Sequence, residues 1–378
     1  MNREANAFHS LRRESLRGAP LYPENAMADE RKLLHPADTS VVRQLRFSTD
    51  AVLRRRFMLT DEAVRSNLRA GLLLEVLDKL AEDTALEYVR HWQPEARVVT
   101  AAMDSMRVRN VPDETKDLVL RARVNLVGRT SMEVGVRIEQ PECEHPHIAS
   151  CYFTMVGRVR DEMGEEQSVP LPPLDCGNEL DCARADRARA RRDAYRQHVS
   201  AAEEPPSREE YDLLRSLHGA QEQPGFSGLL ASRLVTEGWE RTYPEQENVP
   251  QTIFGGYVAH KALVNAHICS EMVATDRALL VSVDRINFYQ PVRMGDKLHF
   301  VSRVTYTGKT SIAVETTITR ISRDRTSTAL SNACSFTFAN VDADIRRLPV
   351  PAVYPTTYAE DARYLAAYRR RKAYLGAK

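Results

Sequence analysis

No run of eighteen apolar residues occurs anywhere in the chain, so no segment reads as a membrane-spanning helix. A charge of one sign is missing as well. Lys and Arg number 53 and Asp and Glu 52, leaving a formal net charge of +1, and this balance gives no support for nucleic acid or an anionic membrane as partner. The six cysteines (143, 151, 176, 182, 269, 334) form no Cys-x-x-Cys pair and read as free thiols of a reducing compartment. Cys143, His145 and His147, with Cys151 nearby, briefly suggest a metal cluster. The run carries Pro146 between two predicted strands and reads instead as a surface hairpin loop, so no metal is expected. No apolar secretory signal opens the chain. Arg3, Arg12, Arg13 and Arg17, set against Glu4 and Glu14, fit a mitochondrial presequence or an ordinary polar tail, with a cytoplasmic address as the alternative.

Three catalytic signatures are also absent. Gly308-Lys309-Thr310-Ser311 ends like a phosphate loop, but that motif needs a glycine at 303, which is Arg303. Gly225-Phe226-Ser227-Gly228 has the wrong spacing for a nucleophile elbow, and no dinucleotide fingerprint follows a strand.

What the chain does contain is a duplication. Asp104 and Asp284, Leu118 and Leu298, Val124 and Val304, Gly128 and Gly308, and Val134 and Val314 each lie 180 residues apart. Cys151-Tyr152-Phe153-Thr154 returns as Cys334-Ser335-Phe336-Thr337 at a spacing of 183. A repeat this long is a duplicated domain, not a solenoid unit. The organisation read from it is an N-terminal tail (1–45), a first copy (46–165), a linker rather than a core (166–225), a second copy (226–345) and a C-terminal tail (346–378) whose residues Ala359–Tyr374 read as a helix.

In the first copy a helix over Leu68–Tyr88 precedes strands at Val98–Met106, Asp117–Val127, Ser131–Ile138 and Ile148–Arg160. In the second, a helix from Gly255 to about Ala274 precedes Leu279–Tyr289, Lys297–Thr307, Ser311–Ser322 and Ala329–Phe338. Period-two alternation argues for sheets with one buried face. A helix followed by an antiparallel meander, twice over, is an α+β pattern in which a sheet wraps a central apolar helix. Within the linker, the arginine-rich stretch Arg184–Arg196 reads as a solvated helix face, since it lacks interleaved aromatics.

Two places carry possible chemistry. Asp78 lies on the line Leu74–Asp78–Ala81–Ala85, so a carboxylate interrupts an apolar helical stripe, while Glu75, Lys79 and Glu82 form the polar face. Such a carboxylate is expensive without partners or a job, and its surroundings suit a general base. The alternative is a helix phased slightly differently, with Asp78 half solvated. In the second copy, Asn248 precedes Gly255-Gly256 at a helix start, where bare N–H groups and the positive end of the helix dipole suit a carbonyl oxygen gaining charge. The alternative there is a turn residue and two glycines that permit close packing. Gly71 aligns with Gly256 at a spacing of 185, which pairs Asp78 with Leu263 and Asn248 with Ala63. One copy keeps the acid and the other the amide, so sites built between copies would comprise one complete and one dead.

At these positions the chain resembles the acyl-CoA thioesterases with two hotdog domains, in particular the mitochondrial acyl-CoA thioesterase 9 group. The resemblance rests on Thr252-Ile253-Phe254-Gly255-Gly256-Tyr257, on Val283-Asp284-Arg285-Ile286-Asn287-Phe288 with Gln290-Pro291-Val292, on Arg129-Thr130-Ser131-Met132-Glu133-Val134, and on Glu30-Arg31-Lys32-Leu33-Leu34. It implies a tandem (double) hotdog with the two sheets joined edge to edge. It also implies hydrolysis of fatty acyl-CoA to free acid and coenzyme A. No cofactor is implied beyond the coenzyme A of the substrate.

By this resemblance Asp78 activates water or attacks the thioester, Asn248 orients the water or carbonyl, and the Gly256 N–H holds the oxyanion. Gly255, Thr252 and Phe254 would contact substrate, and Arg129 and Lys309 at the hairpin turns are candidates for the coenzyme phosphates, against a reading as solvated turn residues. Glu75 and Glu82 are rival acids. His260 keeps a hotdog hydratase or dehydratase open as an alternative, although the sequence shows it no acidic partner. A non-catalytic acyl-CoA binder is the third reading. The resemblance also suggests a homo-oligomer, with trimers of double hotdogs one form.

Overall fold

A computed structural model describes residues 32–376, except 63, 162–165, 202–204 and 250–251. The first copy opens with β1 (Val41–Leu45) and the short helix α1 (Ala51–Phe57), followed by the long helix α2 (Ala70–Trp92). Then come β2 (Arg97–Met103), β3 (Met106–Val108), β4 (Leu118–Val127), β5 (Ser131–Glu139), β6 (His147–Arg160) and β7 (Glu166–Ser168). Helices α3 (Glu179–Ala201) and α4 (Arg208–Gln221) connect to the second copy. That copy contains β8 (Leu229–Leu230), β9 (Val235–Arg241), β10 (Glu247–Val249), β11 (Thr252–Ile253), the central helix α5 (Gly255–Glu271), β12 (Arg277–Val283), β13 (Ile286–Phe288), β14 (Lys297–Thr307), β15 (Ser311–Ile321) and β16 (Thr328–Val341). A short β17 (Val353–Tyr354) and helix α6 (Tyr358–Gly376) end the described chain.

The alternation seen in β4 explains the layering. Leu118, Leu120, Ala122 and Val124 are buried against α2, whereas Arg121 between them is exposed. Because the sheet curls around α2, the helix is buried on most of its circumference: Leu74, Leu77, Leu80, Ala81, Ala85 and Val89 are all shielded from water. The second copy repeats this with Val258, Ala259, Ala262, Leu263 and Ala266 of α5. The fold is the expected α+β tandem hotdog.

The two sheets join into one of thirteen strands among the described residues; ten follow the order β1-β4-β5-β6-β2-β13-β16-β15-β14-β9, and β3, β7 and β12 pair beside that path. At the join β2 pairs antiparallel with β13 (Met103 opposite Ile286), and β3 with β12 (Met106 opposite Val283). Each strand at this seam was read from the sequence as continuous. Both break, at Asp104-Ser105 and at Asp284-Arg285, and the pieces on either side of each break pair with their own copy's long strand (β6 or β16) as well as with the other copy. Arg285 donates to Asp104 across this seam.

Three stretches assigned outside the cores take part in them. Val41–Leu45 forms an edge strand on β4, and the Thr39 hydroxyl just before it accepts the N–H of Val124 at 2.9 Å. Helix α3 is no free linker. It lies along β4, burying Ala185, Ala188 and Asp181, and Asp181 is paired with Arg123 and Arg184. Its Arg191 binds Glu133 and stacks over the Tyr152 ring at 3.7 Å, so part of the arginine run faces the sheet. The sequence reading missed this because these charges are buried by pairing, which leaves no apolar stripe to see. In the C-terminal region α6 packs on β14 through Tyr364, Leu365 and Ala367. The segment holding Cys143 joins β5 to β6 as a hairpin loop, as expected.

Candidate active site

Helices α2 and α5 lie against each other at the centre of the joined sheet. Glu75 and His260 occupy equivalent positions in the two copies, and they touch: His260 Nδ1 lies 2.6 Å from Glu75 Oε1. Equivalent residues in contact mark the local two-fold axis between the copies. The glycines follow the same symmetry. A Cβ on Gly256 would sit 3.0 Å from Glu75 Cα, and one on Gly71 would collide with the His260 ring. The glycine at each helix start therefore lets the opposite helix approach.

Asp78 stands one turn along α2 from this axis and is 3% exposed, on the stripe with Leu74, Ala81 and Ala85 as the spacing predicts. Two donors hold it. Thr100 Oγ1 of β2 donates to Oδ1 at 2.8 Å, and the Gly256 N–H of the other copy donates to Oδ2 at 2.7 Å. Burial dominates its titration and lifts its pKa from 3.8 to about 6, partly opposed by the Thr100 and Gly256 hydrogen bonds. A nearby Glu82 adds to the rise, and Lys79 subtracts from it. A carboxyl group poised near neutrality, touching the backbone of the second copy, is suited to accept a proton from water.

Several sequence expectations change here. Glu82 was placed on the polar face but is 6% exposed and ion-paired to Lys79 at 3.0 Å, because the wrapped sheet leaves α2 almost no outer face. His260 was credited with no acidic partner, yet Glu75 is one, contributed by the opposite helix and therefore remote in sequence. The Gly256 N–H was assigned to an oxyanion, but in the structure it serves Asp78. A buried carboxylate without a bonded cation takes the donors available to it, and a helix start offers one.

The backbone of Asn248 lies in β10, whose partner β11 runs into α5 (Val249 opposite Thr252, Glu247 opposite Ile253). Its side chain, like Ala63, lies outside the described residues. Thr252 also bridges to Arg293, and Phe254 caps the helix with its N–H donating to Gln246 O at 3.1 Å. A Cβ on Gly255 would meet the Phe288 ring at 2.8 Å. These residues thus shape one helix start. Arg129 and Lys309 are exposed at the tips of the β4–β5 and β14–β15 hairpins, and among the described residues neither side chain bonds to the Asp78 cluster.

Thr100 was missed by the sequence reading. The comparison of copies could have found it: its counterpart 180 residues on is Leu280, so the second copy replaced both Asp78 and Thr100 with leucine. The strand bulges fall at the same places in the two copies, between Thr100 and Ala102 and between Leu280 and Ser282.

The Thioesterase superfamily profile matches residues 251–326. Mitochondrial acyl-coenzyme A thioesterase 9 of Mus musculus is 26% identical over 377 aligned residues, covering 91% of this chain and 83% of that one. An uncharacterised acyl-CoA thioester hydrolase of Zymomonas mobilis is 30% identical over 118 residues, covering 31% of this chain and 79% of that one. Among solved structures, an acyl-CoA hydrolase from Bacillus cereus aligns at 25% identity over 39% of this chain and 89% of that one, with a TM-score of 0.38.

Proposed function

We propose that this chain, which belongs to the acyl-CoA thioesterases of the thioesterase 9 group, cleaves its substrate at a single composite site formed by Asp78 of the first copy and the start of α5 in the second. Hydrolysis of acyl-CoA to free acid and coenzyme A is the activity. The observation that carries the one-site reading is the Asp78 carboxylate, buried and held from the other copy by the Gly256 N–H.

In this reading ionised Asp78 takes a proton from water as the water attacks the thioester carbonyl, and Asn248 orients the water or the carbonyl. The Gly256 N–H fixes the carboxylate beforehand. An oxyanion would compete with Asp78 for that N–H, so proton uptake by Asp78 frees the donor as negative charge appears on the carbonyl oxygen. Thr252, Phe254 and Gly255 line the approach, and Arg129 and Lys309 offer charge to the coenzyme phosphates.

Purified protein incubated with acyl-CoAs of two to eighteen carbons should release free thiol, and Asp78→Ala should release none. Full activity in that variant would sink the assignment. The hydratase reading has gained an acidic partner for His260 but loses its reactive edge: the Cδ2–Nε2 side of the ring packs on Gly71. Enoyl-CoA hydration without thiol release would restore it. Tight acyl-CoA binding with neither reaction would indicate the silent binder.

The mitochondrial names of the relatives support a mitochondrial address, while the arginine-bearing start of the chain lies outside the described residues. A homo-oligomer is supported by exposed Val264 and Ile268, one turn apart on α5, and Met272 just past its end. Sedimentation at micromolar concentration checks this, a monomer counting against it.

A further inference from the structure

The position equivalent to the Asp78 site is not merely emptied of polar groups. Leu263 stands for Asp78, Leu280 for Thr100 and Gly71 for Gly256. These three residues line a cavity of about 190 Å³, whose walls include Leu68, Met106 and Phe338. An apolar cavity of roughly 150 Å³ is enough to take up benzene, so this one holds an alkyl chain of about six carbons.

The lining also carries polar residues, among them Arg69, His260, His267 and Arg277. Arg277, at the start of β12, donates through Nη2 to Arg65 O at 3.0 Å, while its Nη1 is buried with no hydrogen-bond partner. Among the described residues Arg277 forms no ion pair with the exposed Glu271 or Asp276 that also border the cavity. Arg97, 180 residues earlier, has the same unpartnered Nη1, so both copies keep a guanidinium at this strand start. Arg277 itself lines the cavity and brings a permanent cation to it, and a carboxylate matches guanidinium geometry.

We infer that the mirror cavity is a second, non-hydrolytic binding site for a short-chain fatty acid, with the alkyl chain between Leu263 and Leu280 and the carboxylate on Arg277. The assignment rests on the one-site reading above, since the acid is the product released at Asp78. No covalent step is involved. The bound acid would lie against His260, which holds Glu75 one turn from Asp78, so product occupancy adjoins the contact between the two central helices.

The test is calorimetric titration of hexanoate into the full chain and into Leu280→Trp, Arg277→Leu and Asp78→Ala, with hexanoyl-CoA turnover measured in parallel. The inference expects one equivalent of hexanoate per chain to be lost, or weakened at least tenfold, in both Leu280→Trp and Arg277→Leu, with kcat within twofold of the unaltered protein. That equivalent should persist in Asp78→Ala, which has no turnover. Hexanoate binding unchanged by Leu280→Trp and Arg277→Leu would overturn the site. Hexanol binding as tightly as hexanoate would overturn the carboxylate assignment, and hexanoyl-CoA displacing hexanoate from the same place in Asp78→Ala would replace the free acid by the thioester. If Leu280→Trp does not fold, Arg277→Leu and the hexanol comparison still decide. Hexanoate binding as expected in a protein without turnover would remove the hydrolase reading and leave the acid-binding cavity, though not its role as a product site.

Discussion

At the scale of single residues, Asp78 joins activity and stability through one titration. Its pKa of about 6 predicts that kcat/KM rises with pH through that value, as the base ionises. The stability effect has the opposite sign. The folded protein holds this proton more tightly than the unfolded chain, so stability falls as pH rises from about 4 through about 6, by roughly 3 kcal/mol at 1.36 kcal/mol per pH unit. Asp78→Asn should therefore abolish turnover yet melt higher than the unaltered protein at pH 8, with the gain fading below pH 4 in thermal scans. An asparagine that is less stable at pH 8 would contradict this. Thr100→Val removes a hydrogen bond to the ionised form, and the acidic limb of the rate profile should then move to higher pH. Asp78 was legible because a carboxylate in an apolar stripe stands out from one segment alone. Thr100, Glu75 and His260 were not, because their roles come from contacts between helix and strand or between copies, and no local pattern encodes these.

Among elements, the contact of α2 with the start of α5 is the sensitive one. A methyl group on Gly256 would lie 2.9 Å from Asp78 Cβ and 3.0 Å from Glu75 Cα, and backbone cannot swing aside as a flexible side chain can. Gly256→Ala should cost about 1–3 kcal/mol in denaturant unfolding and lower kcat at least tenfold. Normal activity would mean the two helices need not touch so closely. Further out, α4 and α6 are clamped by Glu210, whose carboxylate accepts from Arg369 at 2.7 and 2.8 Å. The Arg369 hydrogen bonds lead in lowering its pKa from 4.5 to about 2, so this contribution is complete above about pH 4.5 and disappears as pH falls through 2. Glu210→Gln should lower the melting temperature at pH 7 and match the unaltered protein near pH 2. The central helices and long strands could be read from periodicity, since one face of each is apolar. The breaks at Asp104 and Asp284 could not, because they fall where the two copies meet, β2 on β13 and β3 on β12, and no local pattern marks that seam. Helix α3 escaped for a related reason: its docked face mixes two small alanines, Ala185 and Ala188, with paired arginines and acids, which leaves no large apolar stripe.

For the whole molecule, duplication has yielded two unequal halves of one working unit. Leu263 is 4% exposed, so Leu263→Ala should lose about 2–5 kcal/mol of stability while keeping kcat within a few-fold, in contrast to Asp78→Ala. Equal catalytic losses from the two changes, measured on folded protein, would show two working sites. The contact on the axis bears on how such halves find each other. If two first halves from separate chains joined in the same manner, Glu75 would face Glu75, two carboxylates with no proton donor between them. Two second halves would set imidazole against imidazole, with no acid to share the proton. Only the mixed pairing gives a hydrogen-bonded acid and base at 2.6 Å. The Glu75–His260 contact thus acts as a mating key that favours union of unlike halves within one chain, guarding a newly made polypeptide against joining its twin.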